Sequence, residues 1–314
     1  MNIDLNDEAL EYGQVASRAL EAAGGDELVQ RAEAAPHERG AAVARVLGEL
    51  GALDLDPRGS ADELEAAAAL CRAAGWWAVP DPVAERLARP RDIDADGLVV
   101  VDERRPAGRI AGLDGRWVAV TLDGRRSIAT ARPSDLPTRK TAFVADLALE
   151  PVDEAGAADV ALGLVLPCWT LLGMLDRAVA LAAAYVQERE QFGQPLARFQ
   201  GVQFQLTDAE VERAGVEALA KYALWSVQDA RPEAVDDALA LRVAALDAAE
   251  VVFRVSHQLH GAIGFCDETT VSWVSRHSQP LRRLPFATSA TLDALARRIG
   301  RRGLTGIFSE APTP

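Results

Sequence analysis

The chain has 314 residues and a formal net charge of −14, with 49% hydrophobic and 5% aromatic residues. That length carries a large core spread over two or three domains, and the prevalence of alanine and leucine favours helix. The acidic balance argues against nucleic acid or an anionic membrane as partner, because no basic stripe stands out from it.

The start, MNIDLNDEALEYG, is acidic and polar and is no secretory signal. No apolar run is expected to reach the length of a membrane span. Cys71, Cys168 and Cys266 lie far apart and read as small buried hydrophobes rather than disulfides or metal ligands. Together these features predict a soluble, cytoplasmic chain.

From Glu8 to Arg89 the pattern is helical. One amphipathic stretch ends at Gly24-Gly25, a second runs from Ala41 to Leu50 and stops at Gly51, and a third runs from Leu64 to Ala74. Ser60 precedes the third, with Asp62 and Glu63 in its first turn, where carboxylates suit the helix dipole. Pro80, Pro82 and Pro90 then punctuate the chain.

Between Leu98 and Val152 the period becomes strand-like. LVVVDE, RWVAVTL and TAFVADLALE alternate, with Asp114-Gly115 and Asp123-Gly124 as tight-turn signals. A sheet of about five strands is expected. From Asp159 onward the helical period returns. One helix runs to Glu190, interrupted or kinked near Pro167, and others span Gly201 to Gln228, Pro232 to about Leu259, and Phe286 to Arg302. Four such helices pack as an antiparallel bundle. The predicted fold is mainly α with a small β domain, divided at 1–92, 93–153 and 154–314. The tail SEAPTP reads as disordered, and RRIGRR, from Arg297 to Arg302, is the one basic cluster.

REQFGQPLARFQ, from Arg189 to Gln200, joins the first two bundle helices. It sets a guanidinium, an amide and a ring at a tight bend. Guanidinium donors pair two at a time with phosphate oxygens, and a phenyl face stacks on heteroaromatic rings. The same residues also fit an ordinary helix connection whose arginine pairs with a carboxylate.

YVQEREQFGQPLARFQGVQFQLTDAEVE (Tyr185 to Glu212) resembles the C-terminal helical domain of the acyl-CoA dehydrogenase family of flavoproteins. HQLHGAIGF (His257 to Phe265), with Arg276 beyond it, is similar to that family's second flavin-contacting turn. VLGELGALDL and CRAAGWWAVPDPVAERLA are similar to its N-terminal helical domain. The resemblance covers nearly the whole chain in the right order. It implies an N-terminal helical domain, a reduced β-sheet domain and a C-terminal four-helix bundle, with FAD bound between two subunits.

On that resemblance Arg189 holds the pyrophosphate, Gln191 and Phe192 lie beside the adenine, and Gln258 and Gly261 form the second turn. Ala262 stands where the family often has a second glycine. The family's base is a glutamate at one of two places. Here these fall near Pro285 and near Gly163-Leu164, and neither holds a carboxylate; Asp159, one turn away, is the nearest candidate.

The chain therefore resembles the short, degenerate subunit of heteromeric (α2β2) actinobacterial acyl-CoA dehydrogenases. This reading expects no catalytic residue of its own and FAD shared across a subunit interface. It expects a full-length acyl-CoA dehydrogenase subunit as partner in a heterotetramer, and an electron-transfer acceptor. The substrate would be an acyl-CoA, by analogy a steroid side-chain thioester. Two other readings stay open: a homomeric dehydrogenase with Asp159 or the Asp153-Glu154 pair as base, and a non-catalytic scaffold or acyl-CoA-binding module.

Overall fold

Glycine at Gly75 and Gly173 decides how the two halves of the chain meet. In the computed structural model, which describes residues 3–300 and 303, the helices that carry them cross in backbone contact. A Cβ at Gly75 would lie 1.9 Å from the Thr170 carbonyl oxygen, and one at Gly173 would lie 1.9 Å from that of Arg72.

Ahead of the crossing run α1 (Asp7–Ala22), α2 (Glu27–Ala34) and α3 (Arg39–Glu49). α4 (Ala61–Trp76) begins as expected, with the Ser60 hydroxyl accepting from the Glu63 amide and Asp62 and Glu63 in the first turn. The short α5 is Val83–Leu87.

The sheet contains β1 (Gly97–Val100), β2 (Ala107–Gly108), β3 (Trp117–Val120), β4 (Arg126–Ala131) and, after the single-turn α6 (Thr138–Thr141), β5 (Ala145–Asp153). The strand order is β1-β3-β4-β5-β2, with β1 and β3 parallel and the other pairs antiparallel. Leu98, Val100, Val118 and Val120 join the main core, while Val99, Trp117 and Ala119 face a second apolar cluster. Burial on both faces explains the unbroken apolar runs of these two strands.

The C-terminal half holds α7 (Ala157–Glu188), the two-residue strands β6 (Glu190–Gln191) and β7 (Gln194–Pro195), α8 (Gln200–Gln228), α9 (Ala234–His260), α10 (Thr270–Arg283) and α11 (Thr288–Ile299). α7, α8 and α9 pack on one another, α10 lies on α7, and α11 lies on α9. One apolar core runs from Leu20 and Leu64 through Leu98 to Val165 and Val252, so the three expected regions share it.

The structure corrects several expectations. α2, β4 and α10 occupy stretches to which no separate element was assigned, and the last helix, expected from Phe286 to Arg302, is observed over Thr288–Ile299. α7 runs without interruption through Pro167. It is long and apolar enough to cross a membrane, contrary to expectation, but 89% of its most apolar window is buried inside the protein. Cys71 and Cys168 are buried, whereas Cys266 is exposed. The SEAPTP tail and the end of the basic run at Arg301 and Arg302 lie outside the described residues.

Candidate functional site

α7 and α9 end side by side. The Tyr185 ring, in the last turn of α7, stacks on His260, the last residue of α9, with ring centroids 4.5 Å apart. The His260 imidazole is fixed by the Ser256 carbonyl at 2.7 Å. This contact brings the 189–200 turn and the 257–265 turn to one end of the bundle, as the resemblance implied. Burial lowers the His257 and His260 pKa values, which favours their neutral forms and leaves the charge at this end to other groups.

Arg189 is the residue after α7, and its amide caps the helix by donating to the Tyr185 carbonyl. Its side chain is exposed and makes no hydrogen bond or ion pair with any described residue. The carboxylate partner that an ordinary helix connection would supply is not there. β6 and β7 close a two-residue hairpin over Phe192 and Gly193, with φ of 52° and 81°. Two left-handed central residues suit such a turn, but a phenylalanine there is strained. Its ring is 91% exposed and touches Phe199 edge-on.

Gln191 and Gln258 are also exposed without side-chain bonds. Gly261 ends α9 at φ 65°, with nothing within 4 Å of where a Cβ would stand, so its backbone is open to close approach. Phe265, 69% exposed, stacks on His257. All five expected residues are thus exposed, in the two turns at the adjacent ends of α7 and α9.

The two places where a base was sought, Gly163-Leu164 and Pro285, do converge. Both line a cavity of about 30 Å³ between the sheet, α5, α7, α9 and α10. Its polar groups are ones the sequence reading missed: Glu85, Arg109 and Arg242, all buried, each with one side-chain atom lacking a partner. Arg242 donates to the carbonyls of Leu281 (3.1 Å) and Phe286 (2.7 Å), fastening the α10–α11 connection. A signal existed: Arg242 interrupts the apolar stripe of Leu239, Ala245, Leu246 and Ala249 on α9. Burial raises the Glu85 pKa above the ordinary carboxylate range, and Arg109 offsets this only in part.

Asp159 does not line the cavity. It sits in the first turn of α7, 2.7 Å from Arg58 and 3.5 Å from Arg126. Burial raises its pKa despite those two arginines. Asp153 is bound to Arg126 at 2.7 Å. Arg276 is held by Glu33 (3.2 Å) and Asp267 (3.4 Å) and stacks over Trp273.

Residues 164–299, which make up most of this bundle, match the family model of the acyl-CoA dehydrogenase C-terminal domain. That stretch is similar to the helical bundle of acyl-CoA dehydrogenases. Over 95% of its length it has the fold of a chain in the ChsE4-ChsE5 complex from Mycobacterium tuberculosis, covering 99% of that chain with a TM-score of 0.78 at 18% identity. The Tcur3481-Tcur3483 steroid ACAD matches equally well in fold, with a TM-score of 0.78 at 17% identity. The short-chain specific acyl-CoA dehydrogenase of Megasphaera elsdenii is 36% identical over 101 residues, 32% of this chain and 26% of that protein. The matched stretch thus spans about a quarter of that relative's length.

Against the cofactor that the acyl-CoA dehydrogenase resemblance implies, the two regions behave differently. The bundle end fits the diphosphate end of a dinucleotide: a guanidinium fork unpaired among the described residues, an exposed ring on a left-handed backbone and an open glycine. The Glu85 cavity does not fit a flavin ring, since about 30 Å³ holds little more than a water or two and ligand pockets measure roughly 300–1,000 Å³.

The Glu85 carboxyl gives a pH prediction. With its folded pKa raised, the native state holds a proton that the unfolded chain has released, from the ordinary carboxylate range up to the raised value. Stability therefore falls as pH rises through that window. Glu85→Gln is expected to melt higher than the parent at neutral pH, with the gap closing as the pH is lowered to about 4. Thermal melts across that range check it; a gap independent of pH contradicts it.

Proposed function

We propose that this chain is the non-catalytic subunit of a heteromeric FAD-dependent acyl-CoA dehydrogenase, completing a flavin site housed mainly by a full-length partner. The observation that carries this reading is a contrast within one molecule. The end of the bundle that would meet a neighbour's cofactor is open and unpaired among the described residues, whereas the chain's own cavity, lined by Glu85, Arg109 and Arg242, is too small for a flavin ring.

When bound, FAD accepts the hydride in the α,β-dehydrogenation of an acyl-CoA. The work of this chain is binding. Arg189 would hold the pyrophosphate, Gln191 and Phe192 would flank the adenine, and Gln258 with Gly261 would close the second turn. No carboxylate stands at either expected base position. The ion pairs of Asp159 with Arg58 and Arg126, and its place outside the cavity lining, weigh against the homomeric reading.

Exposed Phe192, Phe204, Val211 and Phe265 are the apolar surface a partner subunit would cover. Of the two chains similar in fold, one belongs to the two-component ChsE4-ChsE5 complex and the other to a steroid ACAD. They support the heteromeric assembly, an α2β2 tetramer in this reading, and a steroid side-chain thioester as the acyl group. The same reading keeps the divisions at 1–92, 93–153 and 154–314, a cytoplasmic location and an electron-transfer acceptor.

The test is expression with and without the partner. The chain alone should purify without flavin absorbance, and co-expression should give a yellow complex that oxidises an acyl-CoA. Stoichiometric FAD in the chain alone contradicts the reading.

A further inference from the structure

A second cleft, of about 430 Å³, lies between the segment from Arg132 to Asp146 and the outer side of α10. It shares no lining residue with the Arg189 turn, and it adjoins the Glu85 cavity, with which it has Pro280 and Leu284 in common. Five cations line it (Arg132, Arg139, Lys140, Arg276 and Arg283) against a single carboxylate, Asp146. In a chain of net charge −14, such a concentration of positive charge is a local reversal of sign.

Two of the five are already engaged. Asp267 holds Arg139 through both carboxylate oxygens, at 2.6 and 2.8 Å, and Arg276 is bound to Glu33 and Asp267. Even so, the Arg276 Nη2 is buried without a partner. Arg132, Lys140 and Arg283 are exposed and have no side-chain partner among the described residues. Like charges crowded into one concavity repel one another unless a polyanion neutralises them.

The wall is not uniformly polar. Pro133, Val144 and Leu284 line it, and Leu136 stands 62% exposed. The same segment turns through two consecutive left-handed residues that are not glycine, Ala142 (φ 45°) and Phe143 (φ 65°). Strain of this kind gathers at ligand clamps. The Arg39 guanidinium, 4.2 Å from the Phe143 ring centroid, pins that turn from behind.

We propose that this cleft binds a phosphate-bearing organic anion of nucleoside diphosphate size, with its phosphates on Arg132, Lys140 and Arg283 and its ring against Leu136 and Leu284. The volume lies within the range of small-molecule sites, and guanidinium forks match phosphate oxygens in pairs. Because the site belongs to this chain alone, the inference is independent of the heteromeric reading.

Titration calorimetry of the full chain with ADP, inorganic pyrophosphate and adenosine tests it. ADP should bind saturably, pyrophosphate at least about tenfold more weakly for want of the apolar contact, and adenosine not measurably. Arg132→Glu and Arg283→Glu, both at exposed positions, should each weaken ADP at least about tenfold with unchanged circular dichroism, whereas Arg189→Glu should leave it within about twofold. Absence of saturable ADP binding overturns the proposal. So does pyrophosphate binding as tightly as ADP, which would make the cleft a plain anion site. Loss of ADP binding in Arg189→Glu, with retention in Arg283→Glu, would put the nucleotide at the bundle end and also overturns it.

Discussion

Arg189→Ala, made in the co-expressed complex, is expected to weaken FAD binding by roughly 10- to 100-fold. That range corresponds to the loss of charge-assisted hydrogen bonds of about 1.5–3 kcal/mol. The effect should be confined to the cofactor, because the Arg189 side chain has no partner among the described residues of its own chain. The melting temperature of the isolated variant should therefore match the parent's. Arg189→Lys keeps the charge and loses the planar fork, so it should fall between the two. The ratio of flavin to protein absorbance after dialysis reads all three. Equal flavin retention by the alanine variant would remove Arg189 from the site.

The second large effect is structural. Gly173→Ala should destabilise the chain by more than about 3 kcal/mol, the upper end of ordinary overpacking. The obstacle is the Arg72 carbonyl oxygen on the facing helix, 1.9 Å from the new Cβ, and a backbone atom cannot swing aside as a side-chain tip can. α4 and α7 would have to part, opening the seam lined by Leu64, Leu70 and Trp169. A drop in melting temperature of at least roughly 6–12 °C is expected. Gly75→Ala should behave alike, since its Cβ meets the Thr170 carbonyl oxygen at 1.9 Å. By contrast Gly215→Ala, with nothing within 4 Å, should be neutral or stabilising. A Gly173→Ala melt within about 2 °C of the parent would contradict the close crossing.

Neither glycine stood out in the sequence, because a helix–helix approach depends on residues 98 positions apart (Gly75 and Gly173). What the sequence made legible was local. Ser60 with Asp62 and Glu63 announced α4, the Asp123-Gly124 pair marked the β3–β4 turn, and the long alanine-rich periods marked α8 and α9. β4 was hidden because buried Arg126, answered by Asp92, Asp153 and Asp159, breaks its alternation. α10 was hidden by its polar face and Pro280, although Val271, Val274 and Leu281 keep helical spacing. Pro167 reads as a break but sits within a helix whose surroundings hold it continuous.

The candidate site divided in the same way. The residues at the bundle end were proposed through a family resemblance, and the structure places their two turns at the adjacent ends of α7 and α9. The Glu85, Arg109 and Arg242 cluster was not legible, because three charges from α5, the β2 region and α9 meet only after folding. A buried charge on an apolar helix stripe, as at Arg242, was the one clue.

The most direct measurement is a structure of the complex between this chain and its co-expressed partner with FAD bound. The guanidinium of Arg189 should lie within hydrogen-bonding distance of the FAD pyrophosphate at the subunit boundary, with the flavin ring in the partner and none in the Glu85 cavity. A cofactor held wholly within one subunit, with Arg189 turned to bulk water, would contradict the account.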